Sequence, residues 1–119
     1  NLNIDIKEHD EITVPIVSID NTFADSSDPV LLIKIDTQGT ELEVLQSAEK
    51  TIKKFRPMIL FELEDRYFLD NERDAAKRTL KEFFEDLDYS LLYNTNGLNY
   101  LPQVDITRNY HGDILATPR

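Results

Sequence analysis

The chain has 119 residues, of which 40% are apolar, and this size and composition indicate one globular domain with a single core. Thirteen basic residues against 23 acidic residues give a formal charge of -10, which disfavours nucleic-acid backbones and anionic lipid headgroups as partners. The absence of cysteine excludes disulfides and cysteine-ligated metal sites, and no apolar run reaches the roughly 20 residues of a membrane span. We therefore expect a cytoplasmic domain that binds neither nucleic acid nor membrane.

The first predicted elements along the chain are two strands. Residues 12–19 are rich in β-branched side chains and predict a strand, which Pro15 moves toward an edge or an irregular path because proline cannot donate to a ladder. Residues 30–35 read Val-Leu-Leu-Ile-Lys-Ile, a nearly continuous apolar run. Such a run predicts a central parallel strand that is covered on both faces.

Helix and strand patterns then alternate. Apolar residues recur every three or four positions over residues 40–55, which predicts a helix, and Thr40 and Glu43 have the spacing of a capping box. Residues 57–63 predict a second buried strand, with proline at its tolerated first position. Residues 72–87 carry one apolar stripe and predict a second helix.

The end of the chain completes the predicted sheet. Residues 89–93 predict a third strand, 94–97 a turn and 113–117 a terminal strand. The alternation predicts an α/β fold with a mostly parallel sheet and helices on its faces. The link before the terminal strand is too short for another crossover helix, so we expect that strand to run antiparallel. Residues 1–119 are expected to form one unit.

Two carboxylates lie at the ends of neighbouring predicted strands. Asp36 follows the first central strand and Glu62 lies near the end of the next, so both can face the same edge of the sheet. Together they could bind a divalent cation, or one could act as a general base. Glu64 could join them if its strand continues straight, and Gly39 would permit a sharp turn or close approach to a ligand.

Each of these residues also has a structural interpretation. Asp36 could simply favour the positive N-terminus of the following helix, and Glu62 could be a solvated strand end. Lys34 is expected to extend its ammonium to solvent, and His9 and His111 to be surface residues, because neither histidine has a partner histidine or cysteine. The chain contains no glycine-rich cofactor motif of the G-x-G-x-x-G or Walker type.

The segments that carry these residues form a longer pattern. Residues 14–23, VPIVSIDNTF, and 31–64, LLIKIDTQGTELEVLQSAEKTIKKFRPMILFELE, resemble the C-terminal half of the FkbM family of S-adenosylmethionine-dependent methyltransferases. That family typically reads like V-P-V-x-x-L-D, then I-K-I-D-V-E-G-A-E-x-x-V-L-x-G-A, then R-P-x-I-x-x-E. The order, spacing and residue types match over this region, whereas residues 65–119 match only loosely.

The resemblance implies part of a class I methyltransferase fold, which is Rossmann-like and has a seven-stranded sheet with an antiparallel last strand. Residues 30–36, 57–63, 89–94 and 113–117 would be its fourth to seventh strands. The cofactor-binding half of the family, and with it most cofactor-binding residues, would precede residue 1. The chain is thus expected to be the C-terminal, substrate-side half of a methyltransferase domain and to be inactive by itself.

The resemblance also implies a reaction and its residues. An O-methyltransferase would move a methyl group from S-adenosylmethionine to a hydroxyl of a small molecule or sugar, with Asp36 nearest that hydroxyl. Glu62 would be a second carboxylate, and by analogy with related methyltransferases both could hold a divalent metal. The loop that includes Gln38, Gly39 and Glu41 would border the substrate.

Two departures from the family pattern leave other functions open. The family usually has Glu where this chain has Gln38 and Ala where it has Thr40, and a neutral Gln cannot act as a base. A non-enzymatic α/β interaction domain or degenerate methyltransferase is therefore the alternative. A receiver-like switch with Asp36 as phosphoacceptor would need an acidic pair and a late lysine that are not evident. Strand 30–36 would also have an exposed edge, which predicts a homodimer or a swapped strand.

Overall fold

Five strands and four α-helices make up the part of the chain that the computed structural model describes, which is residues 10–69, 71–94, 100–102, 105–108 and 111–119. The helices are α1 (Ile19–Phe23), α2 (Glu41–Gln46), α3 (Glu49–Phe55) and α4 (Arg73–Asp86). The strands are β1 (Leu32–Ile35), β2 (Met58–Leu63), β3 (Tyr89–Asn94), β4 (Tyr100–Pro102) and β5 (Gly112–Pro118). None of the described helices has the length and apolar character needed to cross a bilayer.

The five described strands form one mixed sheet in the order β1-β2-β5-β3-β4. Only the β1–β2 pair is parallel, whereas β5 runs antiparallel to both of its neighbours, and β4 runs antiparallel to β3. The predicted antiparallel last strand is confirmed, but the prediction of a mostly parallel sheet is wrong. The terminal strand inserts between β2 and β3, and the sequence pattern did not reveal the short β4. The mixed α/β architecture is compatible with a methyltransferase-like fold.

The core lies on one face of this sheet. In the strand register Ile35 pairs with Phe61, and Phe61 pairs with Ile114, so these buried side chains share a face. Ile52 of α3 and Phe84 of α4 are buried in the same core, and the Phe84 ring stacks on Phe61 with centroids 5.4 Å apart. The described helices therefore cover one face of the sheet, and we call the opposite face the open face.

Strand β1 is an edge strand among the described residues, since β2 is its single neighbour there. Ile35 faces the core, whereas Leu32 and Lys34 lie on the open face, and Leu32 is 53% exposed. The prediction that both faces of this strand are covered is therefore wrong for the described part of the molecule. A continuous apolar run can arise on a strand whose second face remains open.

The predicted helix over residues 40–55 is two short helices, α2 and α3. They are separated at Ser47 and Ala48, where the Ala48 N–H bonds the Leu45 carbonyl three residues back, at 3.0 Å. Thr40 occupies the N-cap position, but its side chain makes no capping hydrogen bond, so the predicted capping box is wrong. The end of α3 is as expected, because Arg56 adopts a left-handed conformation with φ 51° just before Pro57.

The predicted strand over residues 12–19 is also wrong. Residues 10–18 have no regular secondary structure, and helix α1 begins at Ile19 instead. Ser18 caps this helix, because its hydroxyl oxygen accepts a hydrogen bond from the Asn21 N–H at 3.1 Å. No described strand pairs with this segment. Its β-branched residues therefore lack the ladder that would hold them in a strand.

The Arg56-Pro57 pair joins the ends of several elements. The Arg56 guanidinium donates to the carbonyls of Leu87 and Asp88, the latter at 3.0 Å, and lies over the Tyr89 ring at 4.7 Å. The Tyr89 hydroxyl in turn donates to the Pro57 carbonyl at 2.8 Å. Burial raises the pKa of this hydroxyl, and the Arg56 charge opposes that rise. These contacts fix α3 and β2 against the end of α4.

The remaining predicted elements are confirmed, with ends that differ by one or two residues. The strand over 57–63 is β2, the helix over 72–87 is α4, the strand over 89–93 is β3 and the terminal strand over 113–117 is β5. Most of the predicted turn, residues 95–97, and His9 lie outside the described residues.

Candidate active site

A pocket of about 260 Å³ lies on the open face of the sheet at the carboxyl ends of β1 and β2. Its polar lining residues are Lys34, Asp36, Glu62 and Asp113. Asp36 directly follows β1, and Glu62 lies one position before the end of β2. Because the two strands are parallel neighbours with Ile35 opposite Phe61, the chain brings both predicted carboxylates to one edge. Ligands of α/β sheets characteristically bind at this kind of edge.

Asp113 also lines this pocket, although the sequence patterns did not single it out. It is the antiparallel partner of Glu62 in the β2–β5 ladder, so the two side chains lie on the same face. Three carboxylates and one ammonium group therefore surround the pocket, which gives it a net negative formal charge. The strand order that inserts β5 beside β2 is what brings Asp113 here, and this order was not readable from the apolar pattern.

The loop that follows Asp36 is held by Glu41. This carboxylate is 5% exposed and accepts hydrogen bonds from the Thr37 N–H at 3.2 Å and the Thr37 hydroxyl at 3.0 Å. It also accepts from the Gly39 N–H, at 3.0 Å to Oε2. The carboxylate oxygens of Glu41 thus accept hydrogen bonds from its own loop, and Glu41 does not line the pocket. These hydrogen bonds hold the loop that follows Asp36.

Gly39 and Gln38 form the turn of this loop, and both have positive φ. Gly39 has φ 124°, and a Cβ atom at this position would lie 3.2 Å from Cβ of Tyr67 and 3.3 Å from the Tyr67 carbonyl oxygen. The glycine therefore allows the loop after β1 to pack against the segment after β2. Gln38 has φ 56° and an exposed side chain that makes no hydrogen bond to any described residue. Neither residue lines the pocket.

Glu64 does not join Asp36 and Glu62 at the pocket. Its Oε2 atom lies 3.5 Å from Nε of Arg66 and 3.8 Å from Nδ1 of His111, which is an exposed residue as expected. The adjacent Asp65 forms a buried ion pair with Lys77 of α4. Strand β2 ends at Leu63 and a 3-10 turn begins at Asp65, so Glu64 lies beyond the strand and its carboxylate is near Arg66 and His111 instead of lining the pocket. The Asp65–Lys77 ion pair connects the segment after β2 to α4.

The described residues do not fit the divalent metal site that the sequence suggested. Among them no group of three or more histidine, aspartate or glutamate side chains has an arrangement that could hold a metal ion. Asp36, Glu62 and Asp113 line one pocket, but their carboxylates do not form such a group.

The sequence contains no glycine-rich turn of the kind that holds a nucleotide cofactor at the end of a strand. The glycines in the sequence are Gly39, Gly97 and Gly112, which are too far apart to make a glycine-rich turn. Gly39 lies in the loop after β1, close to Tyr67. A second pocket, of about 740 Å³, lies against α4 and is lined mainly by charged side chains, and it shares no residue with the acidic pocket.

Comparisons with known proteins give one result. Searches of curated proteins and of solved structures return no match. The family model described as the methyltransferase FkbM domain matches residues 2–92, which is most of the 119-residue chain and includes both Asp36 and Glu62. The chain belongs to the FkbM methyltransferase family.

Proposed function

We propose that the chain forms the methyl-acceptor side of an S-adenosylmethionine-dependent O-methyltransferase that acts on a hydroxyl of a small molecule or sugar. The observation that carries the proposal is the acidic pocket, in which Asp36 and Glu62 lie at the carboxyl ends of adjacent parallel strands. Membership of a methyltransferase family supports the reaction type. The size of the pocket, about 260 Å³, suits a small hydroxyl-bearing group better than a macromolecule.

The proposed role of the carboxylates follows from the chemistry of hydroxyl acceptors. S-adenosylmethionine supplies a methyl group on a positively charged sulfur, and the acceptor hydroxyl must lose its proton. Asp36 is exposed at the pocket and can accept this proton, while Glu62 can accept a hydrogen bond that orients the hydroxyl. Glu41 is a positioning residue, because it holds the loop that begins at Asp36.

The 119 residues are proposed to form the substrate-side half of the domain and not the half that binds the cofactor. The proposed compartment is the cytoplasm. Since no glycine-rich turn is present, we expect the 119-residue chain alone to show no binding of S-adenosylmethionine by calorimetry and no methyl transfer. Measurable binding by this chain would contradict the proposed division between the two halves.

The activity itself is tested with the protein expressed from its complete reading frame. Incubation with methyl-labelled S-adenosylmethionine and a panel of sugars and small alcohols should transfer label to an oxygen, located by mass spectrometry of the product. Transfer to nitrogen or carbon would contradict O-methylation. If no acceptor is labelled although the cofactor binds, the non-enzymatic alternative is favoured, in line with the neutral Gln38 where the family usually has Glu.

A further inference from the structure

The 3-10 turn after β2, residues 65–67, is joined to helix α4 by a buried ion pair. The Asp65 carboxylate and the Lys77 ammonium form this pair, and their side chains are 9% and 2% exposed. Lys77 has no second ion-pair or hydrogen-bond partner among the described residues. Neither residue lines the acidic pocket, so the proposed proton transfer does not use them directly.

A buried ion pair of this kind restricts geometry more than it adds stability. Both charges lose their hydration on burial, and apolar side chains of similar volume are often equally stable in the same place. The pair nevertheless ties its two elements together, because moving the turn away from α4 would leave two buried charges without partners. We therefore expect it to determine where the turn lies on α4.

The turn contacts the loop that begins at Asp36. Tyr67 is the last residue of the turn, and a Cβ atom at Gly39 would lie only 3.2 Å from the Tyr67 Cβ. The N–H groups of Gly39 and Thr37 both donate to the Glu41 carboxylate, which holds this loop. A displacement of the turn along α4 would therefore either push the loop or open its contact with Tyr67.

The same turn adjoins the segments that carry the other two pocket carboxylates. Glu62 precedes Asp65 by three residues in the chain, and His111 precedes Asp113 by two. Nε2 of His111 lies 4.0 Å from Oδ2 of Asp65. All three segments that supply carboxylates to the acidic pocket thus meet at or next to this turn.

We propose that Asp65 and Lys77 are positioning residues of the acidic pocket, whose buried ion pair fixes the turn on α4 and thereby holds the Asp36 loop in place. The importance of this role for catalysis rests on the proposed function. The geometric role does not, because it concerns contacts within the 119-residue chain and can be measured without a substrate.

Amide hydrogen exchange measured by NMR on the 119-residue chain tests this role. Asp65→Leu/Lys77→Met replaces both charges with apolar side chains, so its urea unfolding midpoint should not fall below that of wild type. The N–H groups of Thr37 and Gly39 should nevertheless exchange at least about tenfold faster, because their loop has lost its support. The Ile52 N–H, which is buried within α3, should exchange at the wild-type rate.

The matched control is Glu49→Leu/Lys53→Met, which removes the exposed ion pair of α3 in the same way. Exchange in the loop after β1 should then stay within about twofold of wild type. If the apolar replacement of the buried pair does not fold, Asp65→Asn/Lys77→Met retains the side-chain volumes and carries the same prediction.

Unchanged exchange at Thr37 and Gly39 in the folded double variant overturns the proposal. Equal acceleration at Ile52 also overturns it, since the pair would then support the whole fold and not the loop. Faster exchange confined to the loop, together with an absence of methyl transfer by the wild-type protein from the complete reading frame, would support the positioning role and contradict the proposed function alone.

Discussion

Glu62 of β2 and Asp113 of β5 are direct partners in an antiparallel ladder, and both line the acidic pocket. Like charges that face each other across strands destabilise a sheet. Glu62→Gln retains the shape of the side chain and removes one charge, so we expect the free energy of unfolding to rise by about 0.2–1 kcal/mol. Urea denaturation at neutral pH measures this change.

The control for this prediction is Glu82→Gln on the exposed side of α4, where the change should stay within about 0.5 kcal/mol. A loss of stability in Glu62→Gln would mean that the carboxylate is held by favourable contacts. Such contacts would indicate a structural rather than a functional residue.

Asp20 links α1 to the start of α3 and should make stability depend on pH. Partial burial raises the pKa of this carboxyl, but hydrogen bonds from the N–H groups of Thr51 and Lys50 and from the Thr51 hydroxyl outweigh it and lower the pKa below its ordinary value. A lowered folded-state pKa means that the stabilisation is present above the unfolded pKa and is lost as pH falls through the folded one.

Asp20→Asn should therefore lower the free energy of unfolding by about 1 kcal/mol at neutral pH. The difference from wild type should shrink as the solution is acidified below the ordinary aspartate pKa. Thermal unfolding of both proteins over a pH series measures the effect. Asp25→Asn is the matched control, because Asp25 is an exposed aspartate in the turn just after α1. A deficit that does not change with pH would contradict the ionic role of Asp20.

Glu41 and Thr40 should differ sharply in their contribution to stability. Glu41→Gln replaces a buried side chain that accepts hydrogen bonds from three donor groups, so we expect a loss of about 1–3 kcal/mol. Thr40→Ala removes a side chain that makes no capping bond, so we expect a change within about 0.5 kcal/mol. Chemical denaturation of both variants compares them. A larger loss of stability for Thr40→Ala than for Glu41→Gln would contradict this prediction and would support the capping box that the sequence predicted.

Gly39→Ala should destabilise the loop between β1 and α2. The residue has φ 124°, and the new methyl group would approach the Tyr67 backbone and Cβ closely, so we expect a loss of about 1–3 kcal/mol. Differential scanning calorimetry measures the loss as a lower melting temperature. Ala75→Gly on the exposed side of α4 controls for glycine and alanine effects in a helix, where about 1 kcal/mol is expected. A neutral Gly39→Ala would show that the loop can relax away from Tyr67.

The sequence predicted those elements whose pattern is local. Helix α4 carries its stripe within 14 residues, and strand β2 follows directly from the run that begins after Pro57. The strand predicted over residues 12–19 failed because a strand also needs a partner, which lies outside any local window. Asp36 and Glu62 were found because each stands at the end of such a local pattern.

The residues that were missed depend on distant pairing. Asp113 lies 51 positions from Glu62 in the chain, and their contact exists because β5 inserts beside β2. The hydrogen bonds that Asp20 accepts from Thr51 likewise join residues 31 positions apart. In the loop after β1, Glu41 and not Thr40 holds the backbone, since the turn through Gly39 places two N–H groups around its carboxylate.

The central claim is that Asp36 accepts the proton of the acceptor hydroxyl, and the rate of methyl transfer by Asp36→Asn in the protein from the complete reading frame tests it most directly. With Asp25→Asn as control and circular dichroism to verify folding, kcat/KM should fall about 10²- to 10⁴-fold for Asp36→Asn alone. A folded Asp36→Asn protein whose kcat/KM stays within about threefold of wild type would contradict the claim.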